Sequence, residues 1–285
     1  MLNGVINIDK PRGISSSLAV SRVRRALGVR KAGHMGTLDP MGEGVLVMGV
    51  GKCTRLFDYF LTKSKTYEAS FKFGMTTDTL DITGAVTGET AHIPTMSDII
   101  SALPRLIGKI SQLPPQYSAK SVGGRRAYEL ARKGIAAELR PSEVTVYSFL
   151  PIGEIGENEY MFSVECSSGT YIRSLCRDLA ESIGSLAVMT SLRRTRCGAF
   201  TIDDAVSPDE ARAENVIPPE KAHAGLPFVE APSEQFKRLS CGVPIDLPGV
   251  PDGPFALGCA GVFFGIASRG ERGVRVTVNL REDEV

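Results

Sequence analysis

The chain has 285 residues, 42% of them hydrophobic and 23% charged, the proportions of a globular protein rather than of a disordered or collagen-like one. Its formal net charge of +1 argues against a protein that coats nucleic acid nonspecifically. A length of this order suits one large domain, or a large one with a small one.

The charge is unevenly spread. Between Met1 and Arg55 stand Lys10, Arg12, Arg22, Arg24, Arg25, Arg30, Lys31, Lys52 and Arg55 against Asp9, Asp39 and Glu43, a net +6, so the remainder sums to −5. A basic face on a nearly neutral protein suits a polyanion engaged at one defined place. The opening MLNGVINIDKPRG lacks a charged stretch leading into an apolar one, and no apolar run reaches the roughly 18 residues of a membrane span. A cytoplasmic location is the expectation.

Val5, Ile6 and Ile8 predict a short strand. Ser15 to Ser17 then offer caps for a helix with apolar positions Leu18, Ala19, Val23 and Leu27, closed by Gly28. From Arg30 to Gly44 the chain is rich in Gly and Pro without periodicity and reads as a long loop, followed by a buried strand at Val45–Val50. Loops of that length between solid elements are usually functional. Tyr67, Ala69, Phe71 and Phe73 alternate with Glu68, Ser70 and Lys72, the pattern of a strand with one buried face. After the turn-rich GMTTDTLDITG come a helix near Ser97–Leu106 and a segment, LPPQYSAKSVGGRRAYELARKG, holding five basic residues and two tyrosines.

Val144 and Val146 mark a further strand, as do Tyr160, Phe162, Val164 and Cys166. SSGT leads into a helix with Ile172, Leu175, Leu179 and Ile183 on one side, flanked near its first turn by Tyr171 and Arg173 and stopped by Gly184. Ala205 to Pro227 predicts a helix followed by a linker, with a boundary near Gly225. The last 60 or so residues predict short strands joined by Gly turns.

Several motifs fail. GVGKCT lacks the Gly at 46 and the Ser or Thr at 53 of a phosphate loop, since Leu46 and Cys53 stand there, and Gly42 and Gly44 do not complete GxGxxG because position 47 is Val47. Cysteines 53, 166, 176, 197, 241 and 259 form no CxxC pair and have no His at zinc-ligand spacing, and read as reduced, mostly buried thiols. What remains are polar residues in Gly-rich loops or at the ends of apolar elements: His34, Asp39, Tyr67, Tyr171 and Arg173. Taken singly, Asp39 before Pro40 is a common turn pair, Tyr67 a half-buried strand residue and Arg173 a helix surface charge.

Taken together, DKPRGISS (9–16), AGHMGTLDPMGEGVL (32–46), KTY (65–67), GMTTDTLDITG (74–84), PPQYSAK (114–120), SSGTYIRSLCRDL (167–179) and LRRTRCGAF (192–200) make the chain similar, over nearly its full length, to the TruB-type tRNA pseudouridine synthases. The resemblance implies an α+β pseudouridine synthase fold, with a mixed, largely antiparallel central sheet flanked by helices and loops. It further implies a catalytic domain at 1–225 with an RNA-clamping insertion near 112–140, and a small β-rich PUA-like module at 226–285.

By the same resemblance the chain isomerises uridine at position 55 in the TΨC arm of tRNA, with Asp39 as the catalytic carboxylate attacking sugar or ring or removing a sugar proton. No cofactor and no metal is implied, and the partner is the TΨC stem-loop, bound by a monomer that needs no protein partner. A carboxylate shielded from water resists ionisation, and a guanidinium counters that; the resemblance assigns Arg173 to this role. Charges about 4 Å apart attract by roughly 4 kcal/mol at an effective dielectric of about 20. The target base must be flipped out at a cost of a few kcal/mol. Tyr67 is implied to stack on it and to handle the C5 proton, Tyr171 and Leu192 to complete the base pocket, and His34 to hold the base out. Rival readings are a related synthase with another RNA target, a tRNA-folding factor in which catalysis is secondary, and a hydrolase pairing Asp39 with Glu43.

Overall fold

The computed structural model describes residues 2–223 and 225–281. In chain order the strands and helices are β1 (Gly4–Lys10), α1 (Ser16–Ala26), β2 (Ala32–His34), β3 (Glu43–Val50), α2 (Phe57–Leu61), β4 (Lys65–Phe73), β5 (Met75–Thr77), β6 (Val86–Glu89), α3 (Met96–Ala102), β7 (Gly108–Gln112), β8 (Ser121–Val122), β9 (Arg125–Arg126) and α4 (Ala127–Ala131). There follow β10 (Ser142–Gly156), β11 (Glu159–Cys166), α5 (Ile172–Ser182), β12 (Ala187–Cys197), β13 (Phe200–Thr201), β14 (Phe228–Ala231), α6 (Phe236–Ser240), β15 (Phe255–Cys259), β16 (Val262–Gly270) and β17 (Gly273–Asn279). The chain forms an α+β structure of two compact units: 1–40 with 44–61 and 198–285, and 41–43 with 62–197.

In the first unit β3 pairs antiparallel with β1 along its length and with β2 at its far end. Val45, Leu46, Val47, Met48 and Val50 are all buried, which is why this run is continuously apolar instead of alternating. The predicted loop from Arg30 to Gly44 therefore contains a short strand, β2. Ser15 caps α1 by accepting from the Leu18 amide, but the buried stripe is Ser16, Ala19, Val20 and Val23. Leu18, predicted to be part of it, is 45% exposed, because Ser16 and Val20 flank Ala19 and Val23 on the inward face in its place.

The helix predicted after Ala205 is absent; only a short 3-10 turn at Ala213–Asn215 forms. Both ends of this stretch are pinned along β1. Ile217 and Val5 exchange backbone hydrogen bonds at 2.8 Å, the Asp9 amide donates to Val206 O at 2.9 Å and the Val206 amide to Asn7 O at 3.1 Å. Pro218 and Pro219 also restrict the residue before them to extended geometry. Beyond it, β14–β15–β16–β17 form a four-stranded sheet in which only the β14–β15 pair is parallel. Its core is Phe255, Leu257, Phe264, Ala267 and Val274, covered by Leu239 and Ile245.

In the second unit the strand order is β12–β4–β11–β10–β7, all antiparallel. The apolar positions of β4 and β11 lie directly opposite one another, Phe71 against Tyr160, Ala69 against Phe162 and Tyr67 against Val164. Phe149 meets Phe71 and Phe162 edge to face with centroids 6.2 and 5.4 Å away, and Phe71 and Phe162 lie tilted at 4.8 Å, arrangements that add to simple area burial. Strand β12, hidden in the sequence by its run of arginines, borders β4 on the other side.

Candidate active site

The loop carrying Asp39 is built from the outside in. Lys10, fully buried, donates from Nζ to Ile14 O at 2.8 Å and Pro11 O at 3.0 Å, closing the KPRGI turn on itself. This presents Gly13 and Ser16 to the next loop. The Gly13 amide donates to Pro40 O at 2.8 Å, a position where Gly13 holds φ at +90°. The Ser16 hydroxyl donates to Leu38 O at 2.8 Å and accepts from the Leu38 amide at 2.9 Å. The residues on either side of Asp39 are thus clamped, Leu38 is buried, and Asp39 itself is half-buried. His34 ends β2 opposite Met48 and is also half-buried.

Lys10 is consequently a structural cation and not part of the basic face. Arg22 is paired with Asp209 at 2.9 Å. Arg12, Arg24, Arg25, Arg30 and Lys31 remain exposed.

In the second unit Tyr67 and Leu192 come together. Leu192 on β12 opposes Ala69 and Arg194 opposes Tyr67, so all four share one face of the sheet. Tyr67 is 8% exposed and Arg194 2%. Burial pushes the Tyr67 phenol up to about 12; the charge of Arg194 and a hydrogen bond with it pull the other way, and the thiols of Cys166 and Cys197 push it further up. Lys65, also buried, is lowered chiefly by its own burial, and donates to Lys63 O at 2.5 Å.

Helix α5 begins at Tyr171, whose backbone is gripped on both sides by one amide: the Tyr171 amide donates to Gln112 Oε1 at 2.8 Å and Gln112 Nε2 donates to Tyr171 O at 3.2 Å. The buried stripe Ile172, Leu175, Cys176 and Leu179 seats the helix. That seating drives Arg173 inside, so it is no surface charge. Its Nη1 donates to Thr79 O at 2.8 Å and its Nη2 to Tyr117 O at 2.9 Å. Asp81 Oδ2 lies 3.7 Å from Nη1, and both side chains are almost wholly buried. Asp81 is oriented by its other oxygen, Oδ1, which accepts from Thr79 Oγ1 at 2.9 Å and the Thr83 amide at 3.0 Å, in a turn where Leu80 takes a φ of +61°.

Asp81, Arg194 and Gln112 have no role predicted from sequence, and Ser16 only that of a helix cap. Asp81 lies in the turn-rich TTDTLDITG, and its signal is the dense Thr and Asp pattern that lets side chains bond their own backbone. Nothing in the sequence singles out Arg194 from Arg193 and Arg196. The basic segment after Leu113 forms the β8–β9 hairpin around Gly123 and Gly124, both at positive φ, as a tight two-residue turn requires. It exposes Arg125, Arg126, Arg132 and Lys133. Among the described residues no group of three or more His, Cys, Asp or Glu side chains is placed to hold a metal, and no helix is long and apolar enough to cross a membrane.

Comparison with known proteins gives this arrangement its context. Residues 24–172 match the TruB family pseudouridylate synthase N-terminal domain, and residues 173–220 the tRNA pseudouridylate synthase B C-terminal domain. The tRNA pseudouridine synthase B of Thermobifida fusca is 43% identical over 253 residues, 85% of this chain and 83% of that protein. That of Lactobacillus johnsonii is 40% identical over 266 residues, 87% of this chain and 88% of that one. Among solved structures, a chain of a Cbf5-Nop10-Gar1 complex superposes with a TM-score of 0.72 at 25% identity, covering 98% of this chain and 84% of that one. Near-full-length similarity in sequence and in fold, over the loops and strands just described, means that this chain belongs to the TruB family of pseudouridylate synthases.

Proposed function

We propose that the chain isomerises uridine 55 in the TΨC arm of tRNA, with Asp39 as the catalytic carboxylate, Arg173 as a cation of the same reaction, and a target base flipped out of its stack. The observation that carries this reading is the similarity, over more than four fifths of the chain, to proteins named tRNA pseudouridine synthase B.

The reaction breaks the C1′–N1 bond, turns the uracil and joins C1′ to C5. One hydrogen leaves C5 and one arrives at N1, so substrate and product have the same composition and the balance requires no redox partner or nucleotide triphosphate. The demand on the protein is therefore positioning and electrostatics. The clamps at Leu38 and Pro40 suit a carboxylate that must not wander, and the carbonyls and carboxylate around Arg173 suit a guanidinium with one fixed orientation.

Stacking on an aromatic ring contributes about 1 to 3 kcal/mol per base, enough to offset much of the flipping cost. Tyr67 is assigned that task and the C5 proton, Leu192 and Tyr171 the walls of the base pocket, and His34 the space left in the loop. Phosphates would meet Arg12, Arg24, Arg25, Arg30 and Lys31 and the exposed cations of the β8–β9 hairpin segment, making binding salt-dependent. In this reading 1–225 is the catalytic part and 226–285 extends contact along the RNA. The enzyme works as a monomer in the cytoplasm, without a protein partner.

The test is to incubate the protein with tRNA transcripts and map pseudouridine, beside a transcript with cytidine at position 55. Modification confined to position 55 is the expected result. Pseudouridine at other positions of both transcripts, or in neither, overturns the assignment.

A further inference from the structure

If Tyr67 handles the C5 proton, as proposed above, it must do so as a phenolate, and its place in the fold opposes that state. Unpaired negative charge in an apolar interior is costly. From β11 it faces Val164 directly and the thiol of Cys166; from β12 it faces Arg194 and the thiol of Cys197; Lys65 is the next residue along its own side of β4. Arg194 is the group among these that bonds to the phenol.

The backbone puts it there. In an unbroken strand residues 194 and 196 would share a face. A bulge between them shifts the register, so that Arg194 opposes Tyr67 while Arg196 opposes Thr66, and a bulge of this kind re-aims a side chain. Arg196 accordingly pairs at 2.5 Å with Glu165 at the surface, and Arg193 at 3.1 Å with Glu43. Of the three arginines in LRRTR, only Arg194 is buried, on the face it shares with Leu192 and Tyr67. A guanidinium is not spent on filling space next to an apolar wall, when a methionine would pack as well.

We propose that Arg194 is a positioning residue for the isomerisation: its guanidinium holds the Tyr67 oxygen in place and shares the negative charge that the oxygen carries while it takes the C5 proton. After C1′ has joined C5, the C5–H bond breaks and its electron pair forms the C5=C6 double bond. The C6=N1 pair moves onto N1, which takes a proton from water. The C5 proton passes to the Tyr67 phenolate, giving the phenol, which later returns a proton to solvent.

The experiment compares wild type, Tyr67→Phe, Arg194→Lys, Arg194→Met and the Arg194→Met/Tyr67→Phe double variant in single turnover, on tRNA transcripts with hydrogen or deuterium at C5 of uridine 55. Expected for Arg194→Met is a rate loss of about a hundredfold or more, the scale of general acid–base assistance, with an increased C5 isotope effect and tRNA affinity within about twofold of wild type. Adding Arg194→Met to Tyr67→Phe should cost little more, because the two act as a unit, and Arg194→Lys should recover part of the rate.

An unchanged isotope effect in Arg194→Met, or losses that multiply in the double variant, overturns the proposal. If Tyr67→Phe is slow and Arg194→Met is not, the role of Arg194 falls alone; if Tyr67→Phe turns over as wild type, the reading of Tyr67 itself falls. Should Arg194→Met not fold, Arg194→Lys is titrated with 13Cζ-labelled tyrosine, the Tyr67 signal assigned by its loss in Tyr67→Phe. A phenol titrating at higher pH than in wild type supports the proposal, and an unmoved titration refutes it.

Discussion

Replacing Asp81 by Asn tests the seat of Arg173. The substitution keeps the shape of the side chain and the oxygen that accepts from Thr79 and Thr83, and removes only the charge 3.7 Å from the guanidinium. At an effective dielectric of about 20 that separation corresponds to roughly 4 kcal/mol of attraction. Stripping one partner from a buried pair typically costs about 3 to 5 kcal/mol. Because Thr79 O and Tyr117 O continue to hold the two terminal nitrogens, the lower end, about 3 kcal/mol, is expected. For a chain of this size it lowers the melting temperature by roughly 6 to 12 °C. An Asn amide also points its own donors at a group that has only donors, so Arg173 is displaced, and a displacement of about 1 Å costs on the order of a hundredfold in rate. Thermal melts and single-turnover formation of pseudouridine at 25 °C measure the two effects. A variant melting within about 1 °C of wild type and turning over at full rate would show that Asp81 does not set the position of Arg173.

Arg173→Lys should lose most activity while remaining folded, since one ammonium cannot serve the Thr79 and Tyr117 carbonyls and a carboxylate as a planar fork does; near-wild-type single turnover contradicts this. Ser16→Ala leaves the Leu38 amide and carbonyl, both buried, without the hydroxyl that satisfies them. A loss of about 2 kcal/mol in denaturant unfolding, with slower turnover through the freed Asp39 loop, is expected. Burial raises the thiols of Cys53 and Cys166 to about 12 and about 11, and the phenol of Tyr67 to about 12. Below pH 9 these groups are protonated in folded and unfolded chains alike. Above it the unfolded chain releases their protons first, so stability falls as pH rises from about 9 towards 12. Melting curves between pH 7 and 11 should show the decline, reduced in Cys53→Ala, while a thiol reagent at pH 8 should meet one fast cysteine, the exposed Cys241, and Cys241→Ser should abolish that phase.

Local pattern carried a good part of the fold. The strands at 65–73 and 159–166 and the helix at 172–182 declare themselves through a period of two or 3.6, because one face of each is more deeply buried than the other, whereas the strands at 4–10 and 43–50 show as short apolar runs because both their faces are buried. Where the pattern misleads, a tertiary bond has replaced a local one. Ala205–Val216 has the letters of a helix, yet its ends exchange hydrogen bonds with β1. β12 has the letters of a charged surface, yet Arg194 continues the inward face of Leu192, while a bulge after it turns Arg196 to the other side.

The same division runs through the proposed catalytic residues. Sequence alone marked Asp39, Tyr67 and Arg173, because Gly-rich segments and stripe edges stand out from the composition around them, and their order matched a known family. It did not show that Gly13 and Ser16 brace the residues beside Asp39, that Asp81 faces Arg173, or that Arg194 rather than Arg193 or Arg196 faces Tyr67. Those partners are many residues away along the chain, and which side chain meets which depends on strand register and on single-residue shifts in it. A residue's type and neighbours determine what chemistry it can do; the charges that make that chemistry possible are chosen only when the sheet and the loops close around it.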